Sequence, residues 1–88
     1  MDGEIEFDPR KNAENQRKHR LSLQRFPTFD EDPYVEVDDR YDYGEVRFRA
    51  IGRIAGKGYS VVFTIRDGNV RLISFRRAHD EEKRKYGR

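Results

Sequence analysis

The sequence predicts an α+β fold: a small antiparallel sheet with two N-terminal helices on one face and a short C-terminal helix. Three observations lead there. Residues 59–77, YSVVFTIRDGNVRLISFRR, hold the densest apolar patch in the chain and are interrupted once, at Asp67-Gly68. Asp8-Pro9 and Ser22 stand where helices begin. The remaining alternating segments, 34–38 and 46–53, are short and separated by polar turns. Helices lying on one face of such a sheet bury the apolar side of both.

The central hairpin is the clearest element. Val61 to Ile65 are β-branched or aromatic, types suited to a pleated, half-buried surface. Asp67-Gly68 supplies the positive φ of a two-residue loop. If those two residues form the loop, Arg66 stands opposite Asn69, Ile65 opposite Val70, Phe63 opposite Leu72, Val61 opposite Ser74 and Tyr59 opposite Arg76. These residues would then share the core face, because strand side chains alternate. A three-residue turn including Asn69 would shift this register.

Along the chain, Ile5 and Phe7 alternate with Glu4 and Glu6 in a short first strand. The first helix starts at Pro9 and runs to His19 or Arg20, with Asn15, Lys18 and His19 projecting together. Its apolar content is low, so it presents only a narrow buried stripe. A second helix is expected through Leu23, Phe26 and Phe29, short, kinked or partly 3₁₀ because Pro27 falls inside it. Asp30 to Pro33 closes that segment as a loop. Strands at 34–38 and 46–53 follow, and Gly56-Lys57-Gly58 turns into the hairpin. The segment from Asp80 to Tyr86 is helix-permissive but too short to be stable unpacked.

Eighty-eight residues form one domain, 1–88. With 34% hydrophobic and 41% charged residues, the core is thin; a chain of this size buries roughly 60–65% of the surface it exposes unfolded. The absence of cysteine excludes a disulfide framework and thiolate metal sites. No signal peptide or membrane span is visible, and a cytoplasmic location without membrane association is expected. The net charge of +2 conceals an asymmetry. Residues 1–45 carry 7 basic and 13 acidic side chains, a balance of −6; residues 46–88 carry 12 and 4, a balance of +8. A basic half suggests a polyanionic partner, set against a surface whose halves neutralise each other.

The cations on the expected sheet are all arginine: Arg47, Arg49, Arg53, Arg66, Arg71, Arg76 and Arg77. Guanidinium binds phosphate through a planar fork or stacks on bases; outward arginines also deter edge pairing. His19 and His79 are the two histidines, each either structural or an acid–base group. No metal-ligand spacing, Gly-rich phosphate loop or nucleophile elbow appears. RNA cleavage without metal or cofactor is compatible with what remains: the 2′-hydroxyl is the nucleophile, and the protein moves protons and stabilises charge.

Phe7-Asp8-Pro9, Asn15, Arg17-Lys18-His19, Asp32-Pro33, Glu45, Arg47, Gly52-Arg53, Arg71-Leu72-Ile73-Ser74, Arg76, Ala78, Glu82 and Tyr86 together resemble the BrnT family of bacterial toxins. The resemblance spans nearly the whole chain and lies in order and spacing. It departs at Arg20, where the family has Gly, at Arg25 and Pro27, and at His79, where the family has a capping Ser or Thr. The resemblance implies a RelE-like fold and an endoribonuclease that inhibits translation. It also implies a ribbon-helix-helix antitoxin partner, BrnA-like, with operator DNA bound only through that partner. Carried over by residue, it nominates Lys18, His19, Arg53, Arg76, Glu82 and Tyr86 for catalysis. Arg53 and Arg76 would hold the phosphate, His19 or Glu82 would move protons, and Lys18 and Tyr86 would orient substrate. Arg47, Arg49, Arg66, Arg71 and Arg77 are candidate RNA contacts. The alternative is a non-catalytic domain that binds RNA, the ribosome or the antitoxin.

Overall fold

Local chemistry places most elements where the sequence expects them. The structure, a computed structural model, describes residues 5–26, 28–40 and 42–86. Its order is β1 (Ile5–Phe7), α1 (Pro9–His19), a 3₁₀ turn (Leu23–Arg25), β2 (Tyr34–Val37), β3 (Phe48–Ile54), β4 (Lys57–Arg66), β5 (Asn69–Arg77) and α2 (Asp80–Tyr86). Asp8 caps α1 by accepting from the Arg10 amide at 2.8 Å, and Pro9 occupies the first turn. Arg20 ends α1 in the left-handed region, at φ 60°.

Three expectations are corrected. The second N-terminal helix does not form: Ser22 caps only the single 3₁₀ turn, and Phe26 is extended. A residue before proline is pushed out of the helical region; Pro27 itself lies outside the described residues. The sheet is mixed, not antiparallel. Its order is β1-β5-β4-β3-β2, and β1 runs parallel to β5, with Ile5 opposite Val70 and Phe7 opposite Leu72. The β3–β4 turn is Ala55-Gly56, both at positive φ, while Lys57 and Gly58 belong to β4. Asp30 fastens this turn by accepting from the Ala55 and Gly56 amides at 3.1 Å each.

The hairpin register holds from the Asp67-Gly68 loop to Phe63 opposite Leu72, then shifts by one. A β-bulge at Ile73 sets Val62 opposite Ser74, Val61 opposite Phe75 and Ser60 opposite Arg76. A one-residue slip exchanges the two faces. Phe75 therefore turns into the core beside Val61, Leu72 and Leu23, and Arg76 turns to the opposite face.

Asn15 secures this arrangement. It is 4% exposed; its Nδ2 donates to the carbonyls of Phe75 and Leu21 at 2.7 Å each, and its Oδ1 accepts from the Phe75 amide at 2.9 Å. Beyond the end of β1 it satisfies the β5 backbone as a neighbouring strand would. Asn12, one turn earlier, accepts from the Leu23 amide and the Ser22 hydroxyl. Two amides thus tie a helix of little apolar content to the sheet and to the 3₁₀ turn.

The sheet has two unlike faces. One carries Phe75, Leu72, Val61 and Phe63 beneath Leu23, Phe26 and Phe29. Gly52 lies close under the Phe29 ring; a Cβ there would meet Phe29 Cδ1 at 2.7 Å. The other face carries Arg49, Arg53, Ser60 and Arg76 in register, and α2 lies across it.

Candidate active site

α2 is held to the sheet by charge. Its sequence is DEEKRKY, and its one buried residue is Glu82. Arg76 donates to both Glu82 oxygens, at 2.8 and 2.7 Å, in a bidentate pair. Arg49 approaches the same carboxylate at 3.4 Å. Glu82 also accepts from the His79 amide at 2.8 Å, the return half of a capping box. This bond supports the start of α2. Burial works to raise the Glu82 pKa, but the hydrogen bonds from Arg76 and the His79 amide, with the Arg76 and Arg49 charges, overcome it and hold the carboxyl at about 2. Lys85 reaches Glu36 at 3.2 Å, and the Arg53 guanidinium lies 5.1 Å from the centre of the Tyr86 ring.

Between α1 and β5 is a small cavity of about 140 Å³ lined by Glu14, Asn15, Lys18, His19, Ile73 and Ser74, among others. The end of α1 supplies Lys18 and His19, and the bulge supplies Ile73 and Ser74. The pKa of His19 is lowered, first by partial burial and then by the charges of Arg76, Lys18 and His79. Its imidazole is therefore neutral, a proton acceptor, at neutral pH. Beside α2 is a groove of about 280 Å³ whose lining includes Arg53, Lys57, Arg77, Lys83 and Tyr86. Arg77 lies 5.2 Å from the Tyr59 ring centre.

The chain belongs to the BrnT ribonuclease toxin family. Residues 7–82 match the family described as ribonuclease toxin, BrnT, of type II toxin-antitoxin system. No curated protein matches the chain. Family membership implies RNA as substrate and an antitoxin as partner.

Of the six residues nominated for catalysis, Lys18 and His19 line one cavity and the Arg76 charge acts on His19, Arg76 pairs with Glu82, and Arg53 meets Tyr86. Glu82 is held ionised near neutral pH by the guanidinium groups of Arg76 and Arg49, and it joins α2 to β5 through Arg76. Of the five candidate RNA arginines, Arg77 lines the groove. Arg49 is 8% exposed and lies between Glu82 and Asp38, so it is not a surface contact. Arg47 and Arg66 pair with Glu45, and Arg71 pairs with Glu6. At that end of the sheet the acidic and basic halves of the chain neutralise each other.

Lys57 and Lys83 do not stand out in the sequence; Ser74 stands there only within the family resemblance, and His79 only as a histidine that departs from it. The hairpin and helix spacing place Lys57 two positions before Tyr59 and Lys83 beside Glu82, a weak signal. Ser74 reaches the cavity only because of the bulge. Among the described residues, no helix is long and apolar enough to cross a membrane.

Proposed function

We propose that the chain is an endoribonuclease in which His19 takes the proton from a ribose 2′-hydroxyl. The 2′-oxygen attacks the adjacent phosphorus, the bond from phosphorus to the 5′-oxygen breaks, and the products are a 2′,3′-cyclic phosphate and a 5′-hydroxyl. What carries this reading is the His19 side chain in a cavity with Lys18 and Ser74, its pKa lowered by partial burial and by the charges of Arg76, Lys18 and His79. A base poised below neutral pH is suited to this step, and the surrounding charges favour the dianionic phosphorane more than the ground state. His79, whose charge bears on His19, is the candidate acid for the leaving oxygen. Arg53, Lys57, Arg77 and Lys83 grip the flanking phosphates, with Tyr86 and Tyr59 as stacking surfaces. Side-chain cations fill the role a metal would otherwise take. In a cytoplasmic setting, cleavage of messenger RNA would inhibit translation.

The test is incubation of purified protein with RNA, free and on ribosomes, in EDTA, beside a substrate with one 2′-deoxy position. Cleavage with a cyclic phosphate end, absent at the deoxy position and reduced at least a hundredfold by His19→Ala, is expected. From pH 5 upward the rate should rise as His19 loses its proton, with a midpoint below the ordinary histidine value of 6.5, because the His19 pKa is lowered. Intact RNA in every condition, with salt-sensitive binding, would establish the non-catalytic alternative.

A further inference from the structure

The cover over the core face of the sheet is incomplete. Leu23 of the 3₁₀ turn packs on Val61, Leu72 and Phe75, and Phe26 and Phe29 extend that cover. Toward the Asp67-Gly68 end the same face is bare. Ile5 is 50% exposed, Ile65 57%, Val37 55% and Val35 49%. Register joins them into one band: Ile5, Val70 and Ile65 are direct neighbours, as are Phe7, Leu72, Phe63, Phe48 and Val37. The band crosses all five strands. It is continuous with a groove of about 340 Å³ running between Phe26, Phe29, Val35 and Phe63. Contiguous exposed apolar surface of this kind marks an interaction site.

Its borders select the partner. Exposed Glu31 lines the groove, exposed Asp39 follows β2, and exposed Asp67 sits in the turn after Ile65. The cationic groups that suit RNA are on the opposite face, beside α2. An acidic apolar band repels a polyanion. A second copy bound through the same patch would press two acidic borders together, which is costly in a self-complementary interface. What fits is a protein segment with a row of apolar side chains flanked by Lys or Arg. Five strands at about 4.8 Å spacing present roughly 19 Å, the length of a helix of about 13 residues.

We infer that this band is the seat of an amphipathic helix of the partner antitoxin, lying across the strands with basic residues toward Glu31, Asp39 and Asp67. It completes the cover that Leu23, Phe26 and Phe29 begin, by the helix-in-groove mode. The inference rests on membership in a toxin–antitoxin family and not on the ribonuclease chemistry. It places the main anchoring contacts on the face away from His19 and Arg53.

The experiment uses the full chain and the protein encoded by the reading frame adjacent to its own. Val37→Lys and Ile65→Lys alter side chains that are more than half exposed, so both variants should melt with the wild type. Each should bind the partner at least tenfold more weakly, whereas Asp67→Lys should lose severalfold and become less salt-sensitive. Amide exchange on the wild-type complex gives a second readout that needs no variant: protection should appear along β2 and the β4–β5 turn. Variants that bind as the wild type does, a wild type that does not associate, or protection confined to residues 53–58 and 76–86 would overturn the inference. So would a wild-type dimer dissociated by Ile65→Lys. RNA cleavage by the isolated variants is read separately, so a failure of the nuclease reading cannot be mistaken for a failure of this one.

Discussion

Replacing Glu82 with Gln removes the charge that joins α2 to the sheet while keeping an oxygen for the His79 amide. Depression of the Glu82 pKa from its ordinary 4.5 to about 2 corresponds to about 3 kcal/mol, at about 1.4 kcal/mol per unit. Breaking a buried pair from one side costs about 3–5 kcal/mol, and the retained His79 bond brings the expectation for Glu82→Gln to about 2–3 kcal/mol. Arg76 and Arg49 side chains, 15% and 10% exposed, would be left facing an amide. For a domain of this size the loss should lower Tm by about 10–20 °C. The pH dependence follows from the same shift. A carboxylate with a depressed folded pKa contributes its full stability above its unfolded value and loses it as pH falls through the folded value. The gap between wild type and Glu82→Gln should therefore be constant from pH 7 to about 5 and close toward pH 2. Urea melts at pH 7 and pH 3 measure it. A variant within about 0.5 kcal/mol of wild type at pH 7 would show that the pair contributes no more than a surface salt bridge, and that α2 is held by something else.

Other perturbations test the frame around the site. Asn15→Ala should destabilise the protein by about 2–4 kcal/mol, because it strands the amide and carbonyl of Phe75; native-state amide exchange should show Phe75 losing protection. Arg20→Gly should stabilise the protein by about 0.5–1 kcal/mol in a denaturant melt, since Arg20 sits at φ 60° with the side-chain penalty glycine lacks. Gly52→Ala should cost about 1–3 kcal/mol by displacing the Phe29 ring, and near-UV circular dichroism should report the loss of aromatic packing.

The elements written into short stretches of sequence were legible. Asp8-Pro9 started α1, Asp67-Gly68 turned the hairpin, and Asp80 to Tyr86 formed α2, because caps and two-residue turns are decided by a few adjacent residues. The helix expected through Leu23, Phe26 and Phe29 is absent for a related reason. Apolar spacing suggested it, but the local backbone at Phe26 turned extended, and the segment's aromatic rings serve as a lid instead.

What the chain alone determined was a run of local preferences: where helices start, where strands alternate and where the backbone reverses. The tertiary structure decided which face each arginine occupies. The parallel pairing of β1 with β5 joins Glu6 to Arg71, 65 positions away. The bulge at Ile73 exchanges Phe75 and Arg76 between the faces, and it is held by Asn15 from 60 positions away. Both depend on closing long loops against contacts that no local window contains. A single-residue slip would leave every element in place and bury Arg76 where Phe75 now packs.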